Sequence, residues 1–379
     1  MKEKLDTLIK QLNPKHTKAN EPLSKHTYLK IGGPADVFYE CQDINSLVAV
    51  TKLAKLQDIP VTILGRGSNV LISDKGIRGL VIKNYSKTIK IAGEKPVHED
   101  KVEVIPRWES DSSSGTFRGI EFKDLDYDES DKPRIEVIID SGVDLPFALR
   151  YLLDKKITGL QWYSGIPGTI GGAVFNNIHG GSRFISEIID KVSILDNDLK
   201  VTKLSIDKLG LDYDKSRFHN SGEIILQTTF NLYKGDVEKA KFTATKWAKR
   251  KKIQPRNSPG CCFANITQEQ KEKLGYPTTA IGYIIEHIVG MSGFKIGDAA
   301  IYKDHHNFIV NEGKATAQDY LAVMKEMYKK VKEKLDIDLV PEIMLLGFDT
   351  EEIQEFSKKE QDELRKVRNK EIKTVYKKN

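Results

Sequence analysis

The chain has 379 residues, with 60 Lys or Arg against 54 Asp or Glu, a net charge of +6, 39% apolar residues and 30% charged ones. That apolar content supports two or three packed cores and excludes wholesale disorder. The basic excess is not gathered into one arm with aromatics interleaved, so nucleic acid is not an expected partner. No run of about 18 apolar residues occurs, which excludes a helical membrane span on sequence grounds and predicts no membrane insertion.

Met1 to Asn13 reads as a charged amphipathic segment without the apolar stretch and small-residue cleavage site of an export signal, so a cytoplasmic location is expected. From Ser46 to Leu56, apolar residues at helical spacing (Leu47, Val48, Val50, Leu53, Leu56) predict a helix. Ile59-Pro60 ends it, and Val61 to Leu64 reads as a strand that runs into Gly65-Arg66-Gly67-Ser68-Asn69. A second strand is expected at Leu80 to Ile82. Between Asn84 and Lys132 the chain is rich in Ser, Asp and Glu, which predicts an inserted surface excursion.

Arg134 to Ile139 reads as a strand and Leu145 to Lys155 as a helix, followed by a glycine-dense segment from Gly165 to Ala173. Strands at Val192 to Leu195 and Glu223 to Leu232 and a helix from Asp236 to about Lys252 complete this part. Beyond Gln254-Pro255, helical patterns at Thr279 to Val289 and Thr316 to about Leu335 flank a strand at Phe308 to Val310, the pattern of a small α+β domain. Asp349 to Asn379 is charged at most positions with a thin apolar series, the mark of a solvated helical tail.

The three cysteines, Cys41, Cys261 and Cys262, are too few and too oddly spaced for a disulfide framework or a Cys-x-x-Cys zinc site, and read as thiols. No cluster of His, Cys and carboxylates has ligand spacing, so no metal is expected. A Gly-x-Gly turn after a strand offers convergent backbone N–H groups to a diphosphate, yet the same residues also make an ordinary tight turn. The spacing lacks the third glycine of a dinucleotide fingerprint and the Gly-Lys-Ser of a P-loop. The Gly165 to Ala173 segment is open to the same two readings, ligand contact or close packing on a sheet, with Asn176, Asn177 and His179 just beyond it.

Taken together, Thr27 to Ala35, Gly65 to Leu71, Gly159 to Ala173, Ile296 to Asn311 and Pro341-Glu342 occur in the order and spacing that resemble the UDP-N-acetylenolpyruvoylglucosamine reductase family. The resemblance implies an α+β fold: a two-part FAD-binding region of the vanillyl-alcohol-oxidase (PCMH) type plus a smaller α+β substrate-binding domain. It divides the chain into 1–84, then 85–254 with 336–348, a substrate domain at 255–335 and the tail 349–379. The excursion at about 85–132 and the tail lie outside it. The short link from Leu232 to Pro255 leaves no room for an extra substrate-covering loop, so the loop-less second subtype is expected.

The same resemblance implies FAD as cofactor, NADPH as co-substrate and a UDP-sugar as substrate. Hydride passes from NADPH to the flavin, then from flavin N5 to C3 of the enolpyruvyl group, and C2 must receive a proton. Gly65, Arg66, Gly67, Ser68, Asn69 and Val70 with Gly168, Thr169, Gly171, Gly172 and Ala173 would hold the cofactor. Cys261 stands where the family has its proton-donating serine; a thiol, with an ordinary pKa of about 8.5, is mostly protonated at neutral pH. Glu342 matches the family glutamate, Tyr213 its tyrosine and Asn265 the asparagine that holds the nucleotide portion of the substrate.

Three further positions depart from the family pattern. Ala264 replaces a lysine, Ile266 a proline, and Asp214 an arginine that faces the enolate. If Asp214 to Phe218 forms a helical turn, Arg217 lies on the same face and substitutes for that arginine, with Lys215 second; the alternative is an Asp214–Arg217 surface ion pair. Lys295, His305, Asn307 and Asn311 would shape the substrate domain. Two other functions stay open at this stage: a flavin oxidoreductase of the same fold acting on another anion, and a non-catalytic flavoprotein.

Overall fold

The computed structural model describes residues 1–95, 116–117, 120–121, 125, 127–181, 183–252 and 254–356. The first unit is a four-stranded sheet in the order Thr17–Pro22, Pro34–Cys41, Ile77–Asn84, Val61–Leu64. Its first pair is antiparallel and the other two pairs are parallel. The Ile44–Lys55 helix crosses over between parallel strands; Asp43 starts it by accepting a hydrogen bond from the Ser46 amide at 2.8 Å, and its Leu47, Val50 and Ala54 face is buried. Ile77–Asn84 is the best protected strand of this sheet and runs as a nearly continuous buried series, as a strand covered on both faces must.

The second unit is an antiparallel five-stranded sheet in the order Val201–Ser205, Ile189–Leu195, Ile224–Tyr233, Arg134–Asp140, Ile89–Lys95. The helices Leu145–Asp154 and Val237–Lys251 pack on it around one large apolar core. The third unit is a three-stranded antiparallel sheet, Lys295–Ile296, Ala299–Ile301 and Ile309–Asn311. The Ala317–Leu335 helix, opened by a reciprocal Thr316–Asp319 capping box, buries Tyr320, Leu321, Met324, Met327 and Val331 against it. This third core takes in Leu29, Ile31 and Leu71 of the first unit, so the two units share a wall.

Four expectations change. The excursion after Asn84 begins later than read, because Ile89–Lys95 is the edge strand beside Arg134–Asp140; it is exposed over most of its length, so its sequence shows no buried face. Leu125, Tyr127 and Glu129 are also buried, while 96–115 lie outside the described residues. The helix expected at Thr279 to Val289 is one short turn, Ile281–Tyr283, followed by a wider π turn over Ile284–Ile288. The chain near 336–348 does not rejoin the second unit: Met344–Leu346 pairs in parallel with Val70–Ile72 of the first unit. Of the tail, Thr350–Phe356 forms a 3-10 turn that buries Phe356 against Phe263 and Tyr328, and 357–379 lie outside the described residues. Among the described residues, no helix is long and apolar enough to cross a membrane.

Candidate active site

The two glycine-rich segments, about a hundred positions apart in sequence, meet in space. Gly67 takes the left-handed conformation (φ 65°), and a Cβ there would come within 2.4 Å of the His26 carbonyl oxygen. Only glycine fits such a turn without strain. A Cβ on Gly65 would lie 2.8 Å from Thr169 Oγ1, and Ser68 Oγ donates to the Pro167 carbonyl at 2.9 Å, so one loop is buttoned onto the other. Thr169 Oγ1 accepts from the Gly172 amide at 3.2 Å and starts the Ile170–Phe175 helix, while the Gly171 amide donates to the Ser141 carbonyl at 2.8 Å. At Gly168 and Gly172 an added Cβ would meet only Ser68 Oγ at 3.8 Å and Thr169 Oγ1 at 3.6 Å, ordinary contact distances, so the backbone there is lightly covered. Arg66 spans the junction: it pairs with Asp144 and donates to Tyr28 Oη at 3.1 Å.

Cys261 to Phe263 runs extended between two neighbours. The Cys262 amide donates to the Asn307 carbonyl at 2.8 Å, and the Glu342 amide donates to the Cys262 carbonyl at 2.9 Å. Asn69 ties this assembly to the first glycine loop: its side chain donates to the Glu342 carbonyl at 3.2 Å, and its own carbonyl accepts from the Met344 amide at 3.0 Å. Cys262 is fully buried, 3.1 Å from Tyr320 Oη, and packs. Cys261 is half-buried, and its surroundings push the thiol well above its ordinary pKa, first by burial and then by the Glu342 carboxylate, with Lys251 acting in the opposite direction. The thiol is thereby held protonated.

Lys251 is the functional candidate that sequence reasoning missed. It ends the Val237–Lys251 helix, and its stem packs on the Gly165 turn, where an added Cβ would lie 2.7 Å from Lys251 Cβ. Burial lowers its pKa, while Cys261, Glu342 and Asp214 act to raise it. In sequence it is one of four consecutive basic residues, a run that reads as a solvated helix end; only the packing on Gly165 separates it from its neighbours.

Arg217 is not the cation at this cluster. Its Nε and Nη2 both donate to Glu223 at 2.9 Å, and Nη1 donates to the Lys208 carbonyl at 3.0 Å. The supposed helical turn also fails to form, because Asp214 is left-handed (φ 49°), Asp212 and Lys215 close a tight turn around it, and helix begins only at Phe218. The carboxylate paired with Arg217 is that of Glu223, while Asp214 adds a small negative influence at Lys251 and Cys261. Tyr213 is buried beside this turn, its ring 5.2 Å from that of His179 and 6.0 Å from that of Phe184.

Other candidates have structural duties. Asn177 donates to the Asp212 carbonyl at 2.9 Å and so holds the Tyr213 turn. Asn307 brackets Phe263 through both ends of its amide, at 2.7 and 3.1 Å, and Asn311 donates to the Leu29 carbonyl at 3.0 Å. Asn265 accepts from the Ile281 amide at 3.2 Å, which orients its amide at the edge of the third unit. His305 is pushed down to about 4 by burial, with Lys251 and Arg250 adding to it, and is neutral at physiological pH. Lys295 sits on the surface opposite Glu312.

Residues 252–346 match the family model described as UDP-N-acetylenolpyruvoylglucosamine reductase, C-terminal domain. The chain is similar to the UDP-N-acetylenolpyruvoylglucosamine reductase of Clostridium novyi (strain NT), 30% identical over 349 residues, or 90% of this chain and 95% of that one. It is similarly 30% identical to the reductase of the same name from Clostridium tetani (strain Massachusetts / E88), over 92% of this chain and 98% of the relative. In structure it resembles the UDP-N-acetylenolpyruvylglucosamine reductase (MurB) of Thermus caldophilus, with a TM-score of 0.61, 24% identity, and coverage of 86% of this chain and 98% of that one. The structural likeness supports the α+β fold.

Proposed function

Because this chain belongs to the UDP-N-acetylenolpyruvoylglucosamine reductase family, we propose that it uses FAD and NADPH to reduce the enolpyruvyl group of UDP-N-acetylglucosamine enolpyruvate to UDP-N-acetylmuramate. It is an oxidoreductase of peptidoglycan precursor synthesis, a UDP-N-acetylmuramate dehydrogenase. The observation that carries the proposed chemistry is the convergence of Cys261, Glu342 and Lys251 on one strand junction, which Asn69 links directly to the paired glycine loops.

The residues present suit FAD. The lightly covered backbone at Gly168 and Gly172, set beside the Gly65–Asn69 turn, is the kind of main-chain surface that a dinucleotide's phosphates can approach. Gly65 to Val70 and Gly168 to Ala173 would hold it, and the flavin, when bound, supplies the hydride that NADPH delivers.

The side chains then have three tasks. Cys261 gives its proton to C2 of the substrate, whose C2 electron pair forms the new C–H bond, and the thiolate left behind lies beside the Lys251 ammonium until solvent returns the proton. The raised thiol pKa keeps the donor loaded at physiological pH. Lys251 supplies the positive charge that negative charge developing on the enolate requires, in the role for which Asp214 has the wrong sign. Glu342 holds the thiol in its protonated form, while Tyr213 and Asn265 line the way to the UDP-sugar. The cytoplasm, where its sugar-nucleotide substrate is made, is the proposed location.

An anaerobic two-step experiment tests this reading. The FAD-loaded protein is reduced with one equivalent of NADPH, then mixed with the enolpyruvyl sugar nucleotide, and flavin absorbance is followed. Reoxidation with formation of UDP-N-acetylmuramate supports it; reduced flavin that the enolpyruvyl compound leaves untouched would favour another anionic substrate, the reading to which Asp214 and Ala264 point.

A further inference from the structure

Lys83 ends in the interior of the first unit, 6% exposed, and among the described residues its side chain makes one hydrogen bond, from Nζ to the His26 carbonyl at 3.3 Å. That carbonyl is the atom against which a Cβ at Gly67 would collide, so the ammonium and the Gly67 turn abut the same oxygen. The register fixes this placement: Lys83 is paired with Leu64, the residue immediately before Gly65. The next residue, Asn84, donates to Ser141 Oγ at 2.9 Å, and the Ser141 carbonyl holds the Gly171 amide. The end of one buried strand thus sets two polar side chains under the two glycine loops.

The charges facing Lys83 do not neutralise it. Arg66, from the glycine loop, and Lys30, from the 27–33 loop, are both repulsive. Arg66 is already matched by Asp144. Glu40, on the neighbouring Pro34–Cys41 strand, is attractive but is bound by Lys18 at 3.0 Å. His26 is engaged by Glu21 at 3.0 Å, and burial favours its neutral form; Tyr85 offers only its ring, 6.0 Å away. A buried ammonium costs several kcal/mol unless an anion completes it, and no carboxylate among the described residues is hydrogen-bonded to this one. Burial, with Arg66 and Lys30, pushes its pKa down to about 8.

We infer that Lys83 is the fixed positive charge that neutralises the diphosphate of the flavin dinucleotide at the Gly65–Asn69 turn. The inference rests on the FAD reading above. It names a residue that the glycine motifs do not include, and it assigns it a task that backbone amides perform only in part, since amides carry partial charge and no net charge.

Linkage gives the test its sign. Below pH 8 the lysine is charged whether or not FAD is bound, so affinity is flat with pH. A bound diphosphate raises the lysine's pKa, so above pH 8 binding must take up a proton, and the dissociation constant rises up to about tenfold per pH unit. The full-length chain is stripped of flavin and titrated with FAD by fluorescence between pH 7 and pH 9.5, as wild type, Lys83→Gln and Lys83→Arg. Gln removes the charge while leaving a polar donor on a shorter side chain; Arg keeps the charge at every pH used.

The expected result is a wild-type affinity that falls above pH 8, a Lys83→Gln affinity at least about tenfold weaker at pH 7 with no slope, and a Lys83→Arg affinity without the slope. FAD binding by Lys83→Gln equal to wild type, with the slope kept, would overturn the role of Lys83 and leave the FAD reading standing. Failure of the folded wild-type chain to bind FAD at any pH would overturn that reading and this inference with it. If Lys83→Gln does not fold, the wild-type slope and its loss in Lys83→Arg still decide the question.

Discussion

A thiol in a serine's place is the residue-scale feature on which the proposed chemistry turns. Cys261 is legible because the surrounding turn matches a family pattern; the burial and the Glu342 carboxylate that hold it protonated, and the Lys251 charge that opposes them, are not, since Glu342 and Lys251 arrive from distant parts of the chain. Replacing Cys261 with Ala should leave flavin reduction by NADPH unchanged and slow reoxidation by the enolpyruvyl substrate by about 10²–10⁴-fold, the range for loss of a general acid. Stopped-flow measurement of the two half-reactions separates these effects, and equal slowing of both would contradict the assignment. Arg217 is engaged by Glu223 and the Lys208 carbonyl. Arg217 looked available because its helical spacing from Asp214 assumed a turn that the left-handed Asp214 prevents. Arg217→Ala should therefore keep turnover within about twofold while lowering stability by about 1–3 kcal/mol, because the largely buried Glu223 loses its partner; a large loss of turnover at unchanged stability would restore Arg217 to the site. Lys251 carries the complementary prediction. Burial lowers its pKa, so the rate of flavin reoxidation should fall on the alkaline side as the ammonium loses its proton. Lys251→Arg should move that fall to higher pH, and Lys251→Met should lower the rate about 10²–10³-fold across the profile.

At the scale of elements, the glycine loops show how a short segment is fixed by what lies behind it. The Gly65–Asn69 turn is backed by the His26 carbonyl and fastened to Pro167, and the Gly168–Ala173 segment is fastened to Ser141. Gly67→Ala should strain the turn by about 1–2 kcal/mol for the left-handed backbone alone, with the collision at the His26 carbonyl added to it. FAD affinity should drop at least tenfold, about what that strain predicts, in an equilibrium titration; unchanged affinity would mean that the turn does not hold the cofactor. The strands and helices of the first two units were readable because buried faces repeat along them, as in Ile44–Lys55 and Arg134–Asp140. Ile89–Lys95 was not, because an edge strand exposed on both faces carries no such repeat. The course of the chain after Leu335 was also misjudged: a three-residue strand, Met344–Leu346, is too short to announce its partner, and its pairing with Val70–Ile72 is set by where Glu342 and Asn69 meet.

Over the whole molecule, the three units are bound together where the chemistry is proposed to occur. The first unit supplies one glycine loop and Lys83, the second supplies the other loop, Tyr213 and Lys251, and the third supplies Cys261, with Glu342 arriving on the strand that leads back to the first. The family could be read from five separated motifs because each answers to a local backbone or chemical need. The roles of Lys83 and Lys251 could not, because Lys83 is placed by the register of its strand against Leu64 and Lys251 by the packing of its helix end on the Gly165 turn, and neither belongs to a motif. The most direct measurement is NADPH oxidation by the purified, FAD-loaded chain with and without UDP-N-acetylglucosamine enolpyruvate, with the product identified by mass. The account predicts oxidation that depends on the enolpyruvyl compound and yields one UDP-N-acetylmuramate per NADPH. NADPH oxidation that is indifferent to that compound, from a protein that binds FAD and is reduced normally, would contradict it.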